Sequence, residues 1–163
     1  MEIAPRLRRL GASSLISSYL VEEDGEITVI DAGIPGLWKD LLAELAGMGR
    51  TLEDIKAVLL THGDTDHVGF AERLRRERGI PVFIGAGDAA EARGEVPKPK
   101  APRDPMRIGP LVGFLIHGLT HGGLRRTRIQ EVVTIEGTSR VVAPSIGTTS
   151  WTGARRSPPW VSP

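Results

Sequence analysis

Cysteine is absent from this chain of 163 residues, which excludes disulfides and thiolate metal sites together. Histidine is scarce, with only His62, His67, His117 and His121, so any transition metal has to be held by imidazole and carboxylate. Charge of one sign is also lacking: Lys+Arg 21 against Asp+Glu 20 leaves a net charge of +1. That balance gives no reason to expect nucleic acid or an anionic membrane as partner. No apolar run approaches the about 20 residues that span a bilayer. Arg6, Arg8 and Arg9 precede an apolar stretch from Leu10, a faint likeness to a secretory leader. Ser13, Ser14, Ser17 and Ser18 interrupt it, however, and no small-residue cleavage site comes before Glu22. The stretch reads as a strand, and the protein is expected in the cytoplasm. What remains is ordinary for one globular domain: 40% apolar and 25% charged residues.

Strand and helix signals alternate along the chain. Ser17 to Asp31 reads as a β-hairpin, with Tyr19-Leu20-Val21 and Ile27-Thr28-Val29-Ile30 as strands and Glu23-Asp24-Gly25-Glu26 as the turn. Leu37, Leu41, Leu42, Leu45 and Ala46 recur at helical spacing before Gly47 and Gly49. Thr51 and Asp54 suit a capping box. Ile55 to Leu60 is nearly all apolar, the pattern of a strand covered on both faces. A helix is expected from about His67 to Arg78, with Val68, Ala71 and Leu74 inward and Gly79 closing it. Pro81 to Ile84 reads as a strand, Asp88 to Arg93 as a short helix, and Ile129 to Ile135 as a strand. Between them, Glu95 to Pro105 is a Pro- and Lys-rich loop, and Ile108 to Leu124 a glycine-broken covering helix or lid. This alternation predicts an α/β (α+β) layered fold.

The run His62-Gly63-Asp64-Thr65-Asp66-His67 gathers two imidazoles and two carboxylates within six residues. In an extended segment leaving a strand, His62 and Asp64 point to the same side, while Asp66 and His67 fall at the turn into a helix. Gly63 and Gly69 allow close backbone approach. So many polar groups at one place are costly unless a cation or hydrogen bonds compensate. A plainer reading makes this a polar loop, with Asp66 capping the helix and two surface histidines. A calcium loop fails, because Arg75 stands where the bidentate glutamate belongs.

Thr61-His62-Gly63-Asp64-Thr65-Asp66-His67-Val68-Gly69, following a strand and preceding a helix, resembles the T-H-x-H-x-D-H-x-G motif of the metallo-β-lactamase superfamily. Val29-Ile30-Asp31-Ala32-Gly33 resembles that family's upstream strand ending in Asp-x-Gly. The resemblance extends to about Glu136. It implies part of an αββα sandwich and one or two divalent metal ions, zinc first. His62 and Asp64 would contribute to one metal site, and Asp66 and His67 to a second. Asp31 would orient the ligands from behind, and Asp66 would also act in catalysis by orienting the water. The implied chemistry is hydrolysis by a metal-bound hydroxide, with an ester, thioester, lactone or similar small molecule as substrate.

Two departures from the family pattern bear on this. Asp64 stands where the family has histidine, a harder donor that moves preference toward Mn or Fe. After Glu136 the chain has no His, Asp, Glu, Lys or Leu, so the family's downstream ligands and the C-terminal half of the sandwich are expected to be missing. His117 and His121 share a helical face by spacing, but they lack a neighbouring glutamate, and Gly118, Gly122 and Gly123 weaken the helix. The expected organisation is a domain portion over 1–136 and an atypical tail over 137–163. The tail reads either as disordered or as the product of a shifted reading frame. A non-catalytic metal-binding or regulatory module is the rival to a hydrolase, and a sheet face left uncovered would favour self-association.

Overall fold

The structure is a computed structural model that describes residues 1–11, 16–96 and 128–136. The histidine pair at 117 and 121, the expected lid over 108–124, most of the 95–105 loop and the 137–163 tail lie outside the described residues. Seven strands form one sheet in chain order: β1 (Glu2–Ala4), β2 (Leu7–Arg9), β3 (Tyr19–Glu23), β4 (Glu26–Ile30), β5 (Ile55–Leu60), β6 (Val82–Gly85) and β7 (Val133–Ile135). The first four pair antiparallel, while β4 to β7 run parallel. The layered α/β expectation is met.

Local chemistry explains the strand ends. The β3–β4 turn has positive φ at both Asp24 and Gly25, the two-residue arrangement whose twist matches a hairpin and which Asp-Gly favours. On β5, Ile27 pairs with Ile55 but Thr28 pairs with Ala57, so Lys56 is an extra residue. Beyond the bulge Ala57 and Val58 pair in regular register with Thr28 and Val29 and face opposite sides, so the burial of both shows a strand covered on both faces. At the N-terminus two short strands turn at Arg6, which has φ 65°; most of the strand expected from Leu10 onward falls outside the described residues.

Helices occupy the described parts of the parallel crossovers. A 3-10 turn over Pro35–Leu37 leads into α1 (Trp38–Gly47), which buries Leu41 and Leu45, whereas Leu42 is exposed. Thr51 and Asp54 form the expected capping box ahead of β5. Helix α2 (Ala71–Arg78) buries Ala71 and Leu74 and ends on Gly79, whose φ of 67° is left-handed. It starts four residues later than its periodicity suggests. Val68 N closes a single turn on Asp64 O, but the N–H groups of Gly69 and Phe70 bond to the Gly33 and Ala32 carbonyls, so the turn does not continue as a helix. Asp66 does not cap the helix; the capping position is Phe70, with no side-chain bond. A short helix α3 (Ala89–Ala92) follows β6. The last strand is shorter than expected, since Ile129 is wholly buried off the sheet with its N–H bonded to Ala92 O.

Val29, Val58, Val82 and, one step along, Leu60 and Ile84 occupy one side of the sheet and share a core with Leu41, Leu45 and Leu74. Burying side chains of this size is worth about 1.5–3 kcal/mol each, so this core fixes the ends of β4, β5 and β6 relative to one another. Among the described residues no helix is long and apolar enough to cross a membrane.

Candidate metal centre

The candidate site lies where the parallel strands β4 and β5 end, the position at which open α/β sheets leave a crevice between successive loops. β4 passes into Asp31, and Asp31 N donates to Leu59 O at 2.9 Å. Asp31 itself has φ 58°, a left-handed conformation that aspartate tolerates better than most residues. Ser18 Oγ donates to its carbonyl at 2.6 Å. The turn aims the Asp31 side chain, 7% exposed, at the start of the next loop. There Thr61 N donates to Oδ1 and Thr61 Oγ1 to Oδ2, each at 2.8 Å.

A backbone clamp holds the two loops together. Ala32 N donates to His67 O at 2.6 Å, Gly69 N to Gly33 O at 2.8 Å and Phe70 N to Ala32 O at 3.2 Å. The approach is so close that a Cβ on Gly69 would lie 2.3 Å from Gly33 O and 2.4 Å from Ile34 Cα. Gly63 is tight as well, with a Cβ there falling 2.7 Å from Ala92 N on α3. The two glycines of the motif are thus demanded by backbone contact.

The side chains then meet in pairs. His67 Nδ1 lies 2.9 Å from Asp31 Oδ2. The ring nitrogen is buried and out of line for a straight hydrogen bond, so the contact is best described as ionic. Contact with Asp31 is the main cause of a raised His67 pKa; burial opposes it, and Asp66 and Asp64 add to it. Burial pushes the Asp31 carboxyl up, but His67 and the two bonds from Thr61 outweigh it and hold it below the usual carboxylate value. His67 Nε2 is 3.7 Å from Asp66 Oδ2, and His62 Nε2 is 3.8 Å from Asp64 Oδ2. The two imidazoles lie against each other, with ring centroids 3.7 Å apart and planes tilted by 47°.

The four side chains singled out in the sequence are therefore brought together with Asp31 behind them. Two donors about 2.0–2.2 Å from one tetrahedral ion stand roughly 3.3–3.6 Å apart, so each His–Asp pair is close to the spacing of two ligands on a shared cation. Among the described residues no group of three converges as a metal site. The donors fit a cation as two incomplete pairs. Sequence reasoning gave no role to Thr61 or to Ser18. The hydroxyl immediately before His62 was the available signal for the first, whereas Ser18 carries none.

A family model for the metallo-β-lactamase superfamily matches residues 14–150, a span that crosses the compositional change after Glu136. YobT of Bacillus subtilis (strain 168) is 33% identical over 96 residues, covering 58% of this chain and 40% of YobT. Ribonuclease J 1 of Streptococcus pyogenes is 31% identical over 86 residues, 49% of this chain and 15% of the relative. Exodeoxyribonuclease WalJ of Streptococcus pneumoniae is 30% identical over 82 residues, 50% and 30% of the two chains. Among solved structures, a HARLDQ-motif mutant metallo-β-lactamase from Cronobacter sakazakii matches with TM-score 0.61 at 18% identity, over 88% of this chain and 50% of that one. The Rm3 metallo-β-lactamase matches with TM-score 0.58 at 25% identity, over 85% and 46%. The chain thus spans at most half the length of these proteins.

One expectation is overturned. The near-neutral charge excluded nucleic acid as a partner, yet two relatives are by name a ribonuclease and an exodeoxyribonuclease. Net charge sums over a whole surface, whereas cleavage of a phosphodiester depends on a few groups at one crevice, so a balance of +1 has no power to exclude it. The motif, the Asp31 turn behind it and the family match over most of the sequence agree: this chain belongs to the metallo-β-lactamase superfamily.

Proposed function

We propose that this chain carries the ligand-bearing first part of a divalent-metal-dependent hydrolase. The observation that carries this reading is the Asp31 turn. One buried carboxylate grips Thr61 and His67 together, the outer support that metal-binding histidines characteristically have. In this reading His62 and Asp64 hold one ion, and Asp66 and His67 a second. Zinc is the first expectation, with manganese or iron favoured by the Asp64 carboxylate. A bound divalent ion would supply Lewis acidity, acidifying a coordinated water and polarising the substrate oxygen. The protein's own part is to hold the donors rigidly and to orient the attacking water through Asp66, whose side chain is 32% exposed. A phosphodiester is the substrate class proposed first, supported by the ribonuclease and exodeoxyribonuclease among the relatives.

The incomplete pairs favour a second reading, a module that binds metal without turnover. Metal analysis of the purified full chain, paired with assays on RNA, single-stranded DNA and a simple lactone, separates the two. Bound metal with hydrolysis that Asp66→Asn abolishes supports the hydrolase. Bound metal with no hydrolysis supports the module, and absence of any zinc, manganese or iron uptake defeats both. Domain limits of 1–136 and 137–163 are proposed on composition alone. The nucleotide sequence around codon 137 tests them, since a neighbouring frame encoding further His and Asp would make the tail a frame-shift product.

A further inference from the structure

Thr61 sits between two groups that ask opposite things of its hydroxyl. Its Oγ1 is 2.8 Å from Asp31 Oδ2 on one side and 3.0 Å from His62 Nδ1 on the other. The hydroxyl has a single proton, and an ionised carboxylate can only accept. The proton therefore points to Asp31, and the lone pairs of Oγ1 face His62. An acceptor facing Nδ1 requires an N–H there. A neutral imidazole has one N–H, so Nε2 keeps its lone pair and presents it on the side where Asp64 Oδ2 lies 3.8 Å away.

We propose that Asp31 sets the proton position of His62 through the Thr61 hydroxyl, which makes Thr61 a positioning residue for His62. The consequence for a cation rests on the metal-site reading above; the proton arrangement does not. A free histidine side chain in water favours the opposite form, with the proton on Nε2, so the arrangement has to be imposed by neighbours. It is imposed by a hydroxyl that the backbone also fixes, because Thr61 N donates to the other oxygen of the same carboxylate at 2.8 Å.

The test uses the full chain, labelled with nitrogen-15, stripped of metal by chelator and held near pH 8.5, about two units above the ordinary histidine pKa. Long-range nitrogen–proton correlation spectra distinguish the two neutral forms, and His62→Asn assigns the His62 signals. The expected result is His62 protonated on Nδ1, unchanged in Thr61→Ser and moved toward the Nε2-protonated form in Thr61→Val. The His67 pattern should stay as it was in both variants. Zinc affinity, read from the concentration dependence of the rise in Tm, should fall about 10- to 100-fold in Thr61→Val and recover in Thr61→Ser. An Nε2-protonated His62 in the unsubstituted chain, or no change in Thr61→Val, overturns the proposal. If Thr61→Val does not fold, the unsubstituted spectrum and the serine variant still decide it. Zinc uptake failing in a chain whose His62 is protonated on Nδ1 would defeat the metal-site reading and leave the proton arrangement standing.

Discussion

At Asp31 the backbone and the side chain are each under a separate demand, and substitutions separate the two. Asparagine keeps the shape and tolerates the left-handed φ of 58°, but it removes the charge that faces His67. Asp31→Asn is therefore expected to weaken zinc binding about 10- to 100-fold. Asp31→Ala should cost about a further 1 kcal/mol of stability, because alanine resists that φ. Denaturant melts of the two variants measure the difference; equal stabilities would show that the turn stores no strain. Two glycines make a second contrast. Gly79 closes α2 with φ 67° and nothing within 4 Å of an added Cβ, whereas Gly69 would drive a Cβ against the Gly33 and Ile34 backbone. Gly79→Ala should cost about 1 kcal/mol. Gly69→Ala should cost about 3 kcal/mol or prevent folding, because backbone cannot step aside as a side chain can. At this scale residue type and spacing single out His62, Asp64, Asp66 and His67, and the family resemblance adds Asp31. The sequence was unreadable for the hydroxyl bridges from Ser18 and Thr61, since serine and threonine are common and only the fold brings theirs to Asp31.

Elements were legible where one local rule decided them and illegible where a distant partner did. The Asp24-Gly25 turn, the apolar run of β5 and the Gly79 terminus each follow from residues within a few positions. The start of α2 does not: its periodicity reaches back toward His67, but carbonyls 30 and more positions earlier take up the N–H groups of Gly69 and Phe70. The other face of α2 makes a comparable long-range tie. Arg75 donates to Glu72 through Nε at 2.9 Å and Nη2 at 2.8 Å, and Gln130 N donates to Glu72 Oε2 at 3.1 Å. Glu72 thus anchors the segment that leads into β7. Burial raises its pKa, but the bonds from Arg75 and Gln130 prevail and lower it below the ordinary glutamate value. A depressed carboxylate contributes stability above its unfolded pKa and loses it as pH falls through the folded one. The stability gap between the unsubstituted chain and Glu72→Gln, about 1 kcal/mol at neutral pH, should therefore close only below pH about 4. Paired melts across pH 3 to 7 check this. A gap that does not change with pH would assign the effect to packing.

For the whole molecule, the order of elements from β3 to α3 could be read from the sequence because each apolar run there is bounded by its own turn or cap signals. The exclusion of nucleic acid failed because total charge is a property of the surface and not of a crevice. The same distinction frames how the chain should respond to metal. Each His–Asp pair offers two donors, and the described residues hold no group of three, so binding by this chain alone should be weak and should report itself through stability. A ligand that binds only the folded state stabilises it by RT ln(1 + [L]/Kd), about 2.7 kcal/mol at a hundred times Kd. For a chain of this size that corresponds to a rise in Tm of about 5 to 10 °C. Zinc titration should therefore raise Tm continuously with the logarithm of concentration and show no sharp stoichiometric break. Calcium and magnesium should do little, as imidazole donors suit neither. Replacing both His62 and His67 with alanine should remove the response, and Asp64→His should steepen it for zinc while flattening it for manganese, since the carboxylate is the harder donor. A response to zinc that survives loss of both histidines would place the metal elsewhere in the chain and take the His62–His67 loop out of the site.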